Sequence, residues 1–427
     1  MVNAPAWVTE ALYQDGYPVE TEIFVYSDTA DPNNPYRYPR IYTFNNSTIV
    51  SDSWSMQEAC NSGDTVELGV LNTKTLSISC RYPGSSFKYM FAKVKQTITN
   101  PNNSSETYSV YPMVGYISVE QIDNNEFTVQ YTIVDMITYA VNQDIKPNLL
   151  DPLSEITSVQ DLWYNVLSWD HTYANIETAP GKAWYGFPQM FPNASLDISV
   201  DNILAEVGST WKLSDFLKHF GETIGCNYRI SKRASSERFP DNYINPEAES
   251  FIEIVPPKYT FPGTSVYGLV YPSSTTYPYA STFTGYYAFP NAASVIDIPW
   301  YIHSRATVEH FVGYPLFRVY KGDALLWSEG NNASGQAYDI KDNPIVNNLF
   351  DVTKMKDVAT KLLNANSCTG NLEFIIPINA EAGDLIRYKL KGDTEIVLPI
   401  NSISTKGTHT LIASTTCTLE STKGGRL

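Results

Sequence analysis

The chain has 427 residues, of which 43% are hydrophobic, and a formal net charge of −16 at pH 7. This hydrophobic content is typical of a folded protein, and the acidic balance argues against nucleic-acid binding, because phosphate contacts need clustered Lys and Arg. Membrane anchoring and export are also disfavoured, because no apolar run approaches the roughly 18 residues of a bilayer span and the N-terminus lacks a secretory signal pattern. The 30 Tyr, 26 Pro and 23 Gly favour strands joined by short turns.

The first 148 residues are predicted to form successive strands. Six segments combine β-branched or aromatic residues with a rough alternation of period two: TEIFVYS, YRYPRIYTF, LSISCRY, KYMFAKVKQTI, SVYPMVGYISVEQI and NEFTVQYTIVDMI. The turns between them are rich in Asn, Pro and Ser, as in DPNNP and NPNNSS. Residues 1–148 are therefore predicted to be one antiparallel β unit, a barrel or a sandwich.

Residues 149–235 are predicted to form a small inserted α/β domain. Thr157 and Gln160 form a capping box, and the helix that follows has one apolar face: Val159, Leu162, Trp163, Val166 and Leu167. A second helix begins near Ser214, stops at Gly225 and leads directly into the strand NYRIS. Its apolar stripe consists of Leu213, Leu217, Phe220 and Ile224.

Residues 236–427 are predicted to form a second β unit. Segment 256–290 is so rich in Tyr, Pro, Ser and Gly that a long ordered loop or extended arm is expected there. More strands follow, with the helix VTKMKDVATKLLNAN in an α/β insertion at about 340–370, and a final β run includes NLEFIIPI, TEIVLPINSIS and HTLIASTTCTLE. The predicted fold is therefore mainly β with α+β insertions.

The five cysteines are predicted to be free thiols: Cys60, Cys80, Cys226, Cys368 and Cys417. Their odd number and irregular spacing fit no disulfide framework, and no C-x-x-C pair indicates a metal or redox site. Cys226 follows a helix-ending glycine and is most simply a small buried apolar residue.

The histidines form no catalytic or metal-binding pattern. His303 and His310 are seven residues apart and would face opposite sides of a strand, and Asp170 beside His171 lacks a nucleophile elbow. His219 lies away from the apolar stripe of its helix and is expected to be solvated. Without a P-loop or a dinucleotide-binding fingerprint, we assign no catalytic, cofactor-binding or metal-binding residue, and no enzyme activity is expected.

The stretch SDSWSMQEACNSGDTVELGVLNTKTLSISC resembles a passage typical of tail hub proteins of long-tailed bacteriophages and prophages, a group that includes the N-terminal part of tail-associated lysins. In that family a polar turn precedes an acidic pair and a strand. The matching residues are Ser55, Glu58, Cys60, Asp64, Glu67, Leu68 and Gly69. Ser55 and Glu58 are also predicted to form a capping box for a short helical turn, Gly69 to interrupt a strand, and Cys60 to be a packed residue.

Three further passages resemble the same family in the same order. MVGYISVEQIDNNEFTVQYTIVDMITYAVNQDI is similar to a strand pair that ends in a V/A-x-D element, with Asp135 as its acid. TWKLSDFLKHFGETIGCNYRI is similar to a helix–glycine–strand unit of an inserted α/β domain. YDIKDNPIVNNLF resembles an Asn-Pro signature that precedes a helix, and P-x-x-x-A-G-D-x-I follows from Pro377 to Ile386. Order and spacing extend the resemblance over most of the chain.

The resemblance implies a homotrimeric, non-enzymatic hub in the tail tip or baseplate of a virion, assembled in the host cytoplasm. It implies two tube-like antiparallel β-barrels with small α/β domains, so that three copies adapt a hexameric tail tube to a three-fold spike or fibre. The implied partners are the tail tube, distal tail and tape-measure proteins and a spike or tail fibre protein. DNA would be present only in transit during genome ejection, with no cofactor and no membrane anchor.

Two departures from the family and two rival hypotheses complete the interpretation. Many relatives continue into a wall-degrading domain, whereas this chain stops at ESTKGGRL, so such activity is expected on another protein. Segment 256–290 is longer than expected and is interpreted as an inter-subunit arm or a lineage-specific loop. The rivals are a carbohydrate-binding receptor-recognition protein of the tail tip, whose Tyr and Trp would stack on sugars, and a wall-active peptidase.

Overall fold

The computed structural model describes residues 19–60, 67–142, 211–230, 314–331 and 337–363, with shorter stretches among residues 4–11, 144–162, 197–198, 232–255, 295–312 and 366–420. Segment 256–290 and the pair Asp170 and His171 lie outside the described residues.

The six strands predicted in the first 148 residues are confirmed, and a seventh lies among them. Their bounds are β1 (Glu20–Tyr26), β2 (Tyr38–Phe44), β3 (Ser55–Ala59), β4 (Thr75–Arg81), β5 (Phe91–Asn100), β6 (Asn103–Asp123) and β7 (Thr128–Asp135). β4 buries Leu76, Ile78 and Cys80 and leaves the residues between them partly exposed. Such alternation arises because successive side chains of a strand point to opposite faces.

Strand β3 replaces the short helical turn predicted at Ser55, so the capping-box prediction is wrong. Met56 and Glu58 are buried, whereas Gln57 between them is exposed, as a strand requires. Glu58 therefore points into the protein instead of back to a backbone N–H of its own turn. The prediction that Gly69 interrupts a strand is also wrong for the described residues 67–70, because they form a bend in which Gly69 has a φ of 72°.

The described residues in the middle of the chain add two helices and short strands. These are α1 (Met136–Ala140), β8 (Asp144–Ile145), β9 (Trp211–Lys212), α2 (Leu213–Ile224), β10 (Asn227–Ile230), β11 (Arg233–Ala234), β12 (Tyr243–Ile244) and β13 (Ile252–Val255). The first helix predicted in this region is described only at 157–159 and at Leu162, whose N–H donates to the Ser158 carbonyl at 3.0 Å. That bond spans four residues, as in an α-helix.

The last part of the chain alternates strands with short helices. Its elements are β14 (Val295–Ile298), β15 (Thr307–Val312), β16 (Leu316–Lys321), β17 (Ala324–Gly330), β18 (Ala337–Lys341), α3 (Pro344–Asn347), a 3-10 turn (Val352–Met355), α4 (Lys356–Leu363), β19 (Asn366–Ile375), β20 (Leu385–Lys389), β21 (Glu395–Lys406) and β22 (Ile412–Glu420). The helix predicted after the Asn-Pro signature and the final β run are therefore confirmed.

One sheet joins the two ends of the chain. Its strands follow the order β12-β2-β1-β5-β6-β7-β4-β3-β21-β22-β19-β15, with β11 paired to β6, and β20 paired to β14 and β21. The two β regions meet where β3 pairs antiparallel with β21, from Ser402 opposite Ala59 to Lys406 opposite Ser55. Smaller sheets are β17-β16-β18, β10-β13 and β8-β9. The described fold is mainly β.

Two apolar clusters support this arrangement. The larger fills the first β unit and includes a group of rings in which Phe44 lies 5.5 Å from Tyr131 and 6.0 Å from Phe87, between ring centroids. The smaller lies between the sheet of β16, β17 and β18 and helix α4, where Phe317 and Val319 pack with Val358. Leu68 belongs to the smaller cluster, so the chain after β3 is anchored to the β16–α4 region.

Candidate functional site

Helix α2 is the point at which several of the resembling passages meet. A Cβ added to Gly69 would lie 2.2 Å from the carbonyl oxygen of Lys218 in α2. The N–H of Gly69 donates to the Cys226 carbonyl at 2.7 Å, and the N–H of Leu68 donates to the Tyr338 hydroxyl at 3.0 Å. We call this contact region, formed by Gly69, helix α2 and Tyr338, the central junction.

Helix α2 follows from an amphipathic sequence and a glycine stop. Its buried apolar residues are Leu213, Phe216, Leu217, Phe220 and Ile224, which confirms the predicted stripe and adds Phe216. Gly225 adopts a left-handed φ of 76°, and its N–H donates to the Gly221 carbonyl at 2.8 Å. Glycine tolerates this conformation because it has no Cβ, so the chain can turn at once into β10.

Asn343 connects helix α3 to helix α2. Its side-chain oxygen accepts from the N–H groups of Ile345 and Val346 at 3.0 and 3.1 Å, so it caps α3. Its amide nitrogen donates to the His219 carbonyl and to the Glu222 carboxylate, both at 2.9 Å. Because Asn343 is fully buried and bonded at both ends, the Asn-Pro signature is a joint between two helices.

A buried charge network lies next to the central junction; its members are Glu58, Lys74, Arg229, Lys232 and Glu381, each 4% exposed or less. Glu58 lies 3.0 Å from the Lys74 Nζ and 3.4 Å from the Lys232 Nζ. Arg229 lies 3.3 Å from Glu381, and the backbone N–H of Lys232 donates to Glu381 at 2.6 Å. The network therefore joins β3, β10 and the segment that follows β19.

The carboxyl groups of the network are held in their charged form. Burial alone raises the pKa of Glu58, but Lys232 and Lys74 outweigh burial and keep this pKa below its usual range. Burial also raises the pKa of Glu381, yet Arg229 and the other nearby positive charges lower it to about 2. Because each charge faces an opposite charge away from water, the network resists separation of the segments that it joins.

Asp135 is another buried carboxyl group, placed where β7 passes into α1. It accepts hydrogen bonds from the N–H of Lys74 at 2.5 Å and from the N–H of Thr138 at 3.0 Å. Burial raises the pKa of Asp135 to about 6, although these hydrogen bonds act in the opposite direction. The passage that resembles the family's V/A-x-D element, here Ile133-Val134-Asp135, therefore ends in a turn from strand to helix that also holds the start of β4.

Two further charge pairs, one buried and one partly exposed, fasten Glu249 and Asp241 to the first β unit. Glu249 lies 2.6 Å from the Nζ of Lys93, which is fully buried. Asp241 accepts from the Lys95 Nζ at 2.9 Å. Burial raises the pKa of Glu249, and Lys93 acts against that rise. Together with the pairing of β12 and β2, these contacts tie a late segment of the chain to an early one.

The described cysteines lie where the sequence predicted. Cys60, Cys80 and Cys226 are buried and not joined in disulfides. The Cys60 Sγ donates to the Ile400 carbonyl at 3.3 Å, so this residue is packed against β21, as expected. The side chains of Cys368 and Cys417 lie outside the described residues.

The prediction of a solvated His219 is wrong. Its Nδ1 lies 3.7 Å from the Glu222 Oε2, and its side chain is only 18% exposed. Asn343 bonds to the His219 carbonyl and to Glu222, so this part of α2 lies against α3, whereas Asp215 and Lys218 on the same side of the helix are exposed. His310 lies in β15 opposite Cys368, and its side chain, like the whole of His303, lies outside the described residues.

The buried charge network was missed in the sequence. The available signal was the presence of charged residues at inward positions of short strands. Glu58 follows the buried Met56 by two residues, and Arg229 lies in β10, in which every residue is buried. Charged side chains at such positions are almost always paired, but the sequence does not show with which residues.

Two further observations concern the described residues alone. Within the ranges given above, no three His, Cys, Asp or Glu residues lie close enough to hold a metal ion. In that same part of the chain, no helix has the length and apolar character needed to cross a membrane.

The chain was also compared with known proteins. No family model matches the sequence, and no curated protein matches it. The fold is similar to that of a tail protein from Neisseria meningitidis MC58, with 9% identity and a TM-score of 0.42 over 93% of this chain and 96% of that chain. Prophage tail protein gp18 from Listeria monocytogenes EGD-e is similar with 9% identity and a TM-score of 0.43 over 96% of this chain and 95% of that chain.

A third similar structure is the 43 kDa tail protein of prophage MuSo2 from Shewanella oneidensis, with 9% identity and a TM-score of 0.41 over 92% of this chain and 97% of that chain. All three carry the name of a tail protein. At 9% identity, the function of this chain has to be argued from its own residues.

Proposed function

We propose that this chain is a structural hub protein of a bacteriophage tail, located in the tail tip or baseplate and acting without catalysis. Three copies form a ring that adapts the hexameric tail tube to a three-fold spike or fibre and surrounds part of the genome-ejection channel. The partners are the tail tube, distal tail and tape-measure proteins and the spike or fibre. The domain bounds 1–148, 149–235 and 236–427 stay a prediction.

The proposal is supported by the contacts that the passages with the family resemblance make with one another in the folded chain. Gly69 rests on α2, Asn343 bonds to α2, and Glu381 pairs with Arg229 in the strand after α2. Passages that are far apart in sequence and share one contact region define a common structural frame. A chance resemblance of separate short passages gives no reason for such contacts.

The charge of the chain is compatible with a channel role. A net charge of −16 favours an acidic channel wall in the assembled ring, and an acidic wall repels DNA phosphates instead of retaining them. At physiological salt this repulsion extends only about 8 Å, so it acts close to the wall. A channel lined mainly by Lys and Arg in the assembled ring would contradict this part of the proposal.

The mass of the purified full-length protein tests the proposal. Light scattering or native mass spectrometry should give about three times 47.8 kDa at concentrations of tens of micromolar. A protein that stays monomeric and binds cell-wall polysaccharide would contradict the hub and favour receptor recognition. Clearing of peptidoglycan by the purified protein would contradict the non-enzymatic role.

A further inference from the structure

Part of the outer side of the first β unit lies open to solvent. Directly opposed residues of antiparallel strands share one face of a sheet, so the strand register shows which side chains lie together. The outward positions of β6, β7, β4, β3 and β21 oppose one another in turn and form one continuous surface. We call it the neutral face, and it consists of Val119, Gln121, Thr128, Gln130, Thr132, Val134, Thr75, Ser77, Ser79, Ser55, Gln57, Ala59, Ser402 and Ser404.

Nothing in the described part of the chain buries the neutral face. All of its residues are partly or well exposed, whereas alternate residues of the same strands, such as Leu76 and Tyr131, lie in the core. The outer side of β1 and β5 is covered in part, because residues 240–249 lie against it and Glu249 pairs with the buried Lys93. The neutral face is therefore a surface for something outside the described chain.

The neutral face carries no charge, although the whole chain has 29 Lys and Arg and 45 Asp and Glu residues. About a quarter to a third of the surface residues of a soluble protein are charged, so roughly four charges are expected among these positions. The last outward positions of β6, β4 and β21 are charged, and further charges lie in the adjoining turns; together these are Asp123, Arg81, Lys406, Asp52, Lys88 and Glu126. Because charges of both signs reach its borders, the neutrality belongs to this face and not to the whole region.

The side chains of the neutral face do not fit three ordinary roles of an exposed surface. The cores of protein–protein interfaces are enriched in aromatic residues, Met and Arg, and none of these is among the residues of the face. Recognition of sugars by stacking needs Tyr or Trp, and the face has neither. Retention of nucleic acid needs Lys or Arg near the phosphates. Ser, Thr and Gln make up most of the face, and their hydroxyl and amide groups stay hydrated without attracting either charge.

We propose that the neutral face is part of the wall of the genome-ejection channel, along which DNA slides without being held or repelled. Hydroxyl and amide groups release no counterions from DNA, so they add little affinity, and a wall without acids raises no barrier to phosphates. Since β3 pairs with β21, both β regions contribute to one stretch of wall. The inference rests on the proposed hub, and along this face it replaces an acidic wall by a neutral one.

Thiol labelling of the Gln130→Cys variant tests the surroundings of the neutral face. Gln130 is exposed, so the exchange should not disturb folding, and the native Cys60, Cys80 and Cys226 are buried. In the trimer, a small maleimide should label the variant as fast as the control, whereas a maleimide on a polymer wider than a DNA duplex should react at least tenfold more slowly. The control is Ser328→Cys, at an exposed position in the separate sheet of β17, β16 and β18, which both reagents should reach.

Three labelling results would count against this inference. If both reagents label Gln130→Cys at the control rates, the face lies outside the ring, and if both are blocked, another protein or another copy covers it. Either result overturns the channel wall and leaves the trimer in place. An unchanged protein that is monomeric at tens of micromolar overturns the trimer and the channel wall together.

Lysines placed on the neutral face test its chemistry. The test variant carries three exchanges on the face: Gln57→Lys, Gln121→Lys and Gln130→Lys. The matched control carries the same charges at exposed positions elsewhere: Asn33→Lys, Asn102→Lys and Ser328→Lys. At low salt the trimeric test variant should bind a short DNA duplex at least tenfold more tightly than the control, because lysines from three copies converge on one duplex in the channel. Equal affinities of the two variants, or binding by the unchanged protein as tight as that of the test variant, would overturn the neutral wall.

Discussion

Gly69 and Gly221 touch through their backbones: a Cβ added to Gly221 would lie 2.4 Å from the Cα of Gly69. A Cβ on Gly69 would lie 2.2 Å from the Lys218 carbonyl oxygen, a distance below 3.0 Å that real Cβ atoms essentially never show. The two glycines therefore allow the chain after β3 to lie directly on helix α2. No larger residue fits at this contact unless the backbone moves.

Gly69→Ala should destabilise the protein much more than Gly84→Ala. Both glycines have a positive φ, 72° and 81°, so each replacement costs roughly 1–2 kcal/mol for the left-handed backbone. Only Gly69 adds an overlap with backbone, whereas nothing lies within 4 Å of a Cβ on Gly84. We expect an additional loss of about 1–3 kcal/mol for Gly69→Ala. Denaturant titration of both variants measures the two free energies of unfolding. Equal losses for Gly69→Ala and Gly84→Ala would contradict the close contact between Gly69 and helix α2.

Asn343→Ala should destabilise the joint between α2 and α3. The change removes a helix cap, worth about 1 kcal/mol, and leaves the buried carboxylate of Glu222 without its amide donor, which costs roughly 1–3 kcal/mol more. We therefore expect a loss of about 2–4 kcal/mol in the free energy of unfolding. Asn33→Ala, at an exposed turn position, is the control. If the free energy of unfolding falls by less than the loss of an ordinary helix cap, about 1 kcal/mol, the hydrogen bonds from Asn343 to α2 contribute nothing.

Glu58→Gln should be among the most destabilising isosteric changes in the protein. It leaves Lys74 and Lys232 buried without their shared carboxylate, and removal of one partner of a buried ion pair typically costs about 3–5 kcal/mol. Glu20→Gln, the same change at an exposed position of β1, should stay within about 0.5 kcal/mol of the unchanged protein. Similar unfolding free energies for the two variants would refute the role of the network.

Deprotonation of Asp135 should lower the free energy of unfolding as the pH rises from about 4 to about 6. Its pKa in the folded state is raised from 3.8 to about 6, so in this range the folded state binds more protons than the unfolded state. Stability then falls with rising pH, by about 2–3 kcal/mol in total for a shift of this size. Asp135→Asn cannot titrate, so its unfolding free energy relative to the unchanged protein should rise between pH 4 and pH 7. A constant difference would contradict the raised pKa.

Protonation of Glu381 should lower the free energy of unfolding as the pH falls from about 4.5 towards 2. Its pKa is lowered from 4.5 to about 2, so its contribution is fully present above about pH 4.5 and is lost as the pH falls towards 2. Glu381→Gln should therefore show a flatter loss of stability between pH 4.5 and pH 2. The measurement is the denaturant midpoint across that range, and an unchanged slope would argue against the pairing of Glu381 with Arg229.

Most strands of the first β unit were predictable, and β3 was not. Segments such as LSISC alternate apolar and polar residues, which is the direct signature of a half-buried strand. In SMQEA the second inward position is Glu58, so the apolar alternation is broken and the Ser–Glu spacing imitates a helix cap. The charge at an inward position is stable only because Lys74 and Lys232 meet it from other parts of the chain.

The sequence by itself determined the features that depend on neighbouring residues. Helix α2 with its stop at Gly225 and the cap of α3 at Asn343 arise within a few positions of the chain, where steric preference and local hydrogen bonds decide. Only the tertiary structure decided that β3 pairs with β21 and that Glu381 pairs with Arg229. Partners separated by long stretches of chain are selected by the register and burial of the whole sheet, and many alternative pairings satisfy the same local pattern.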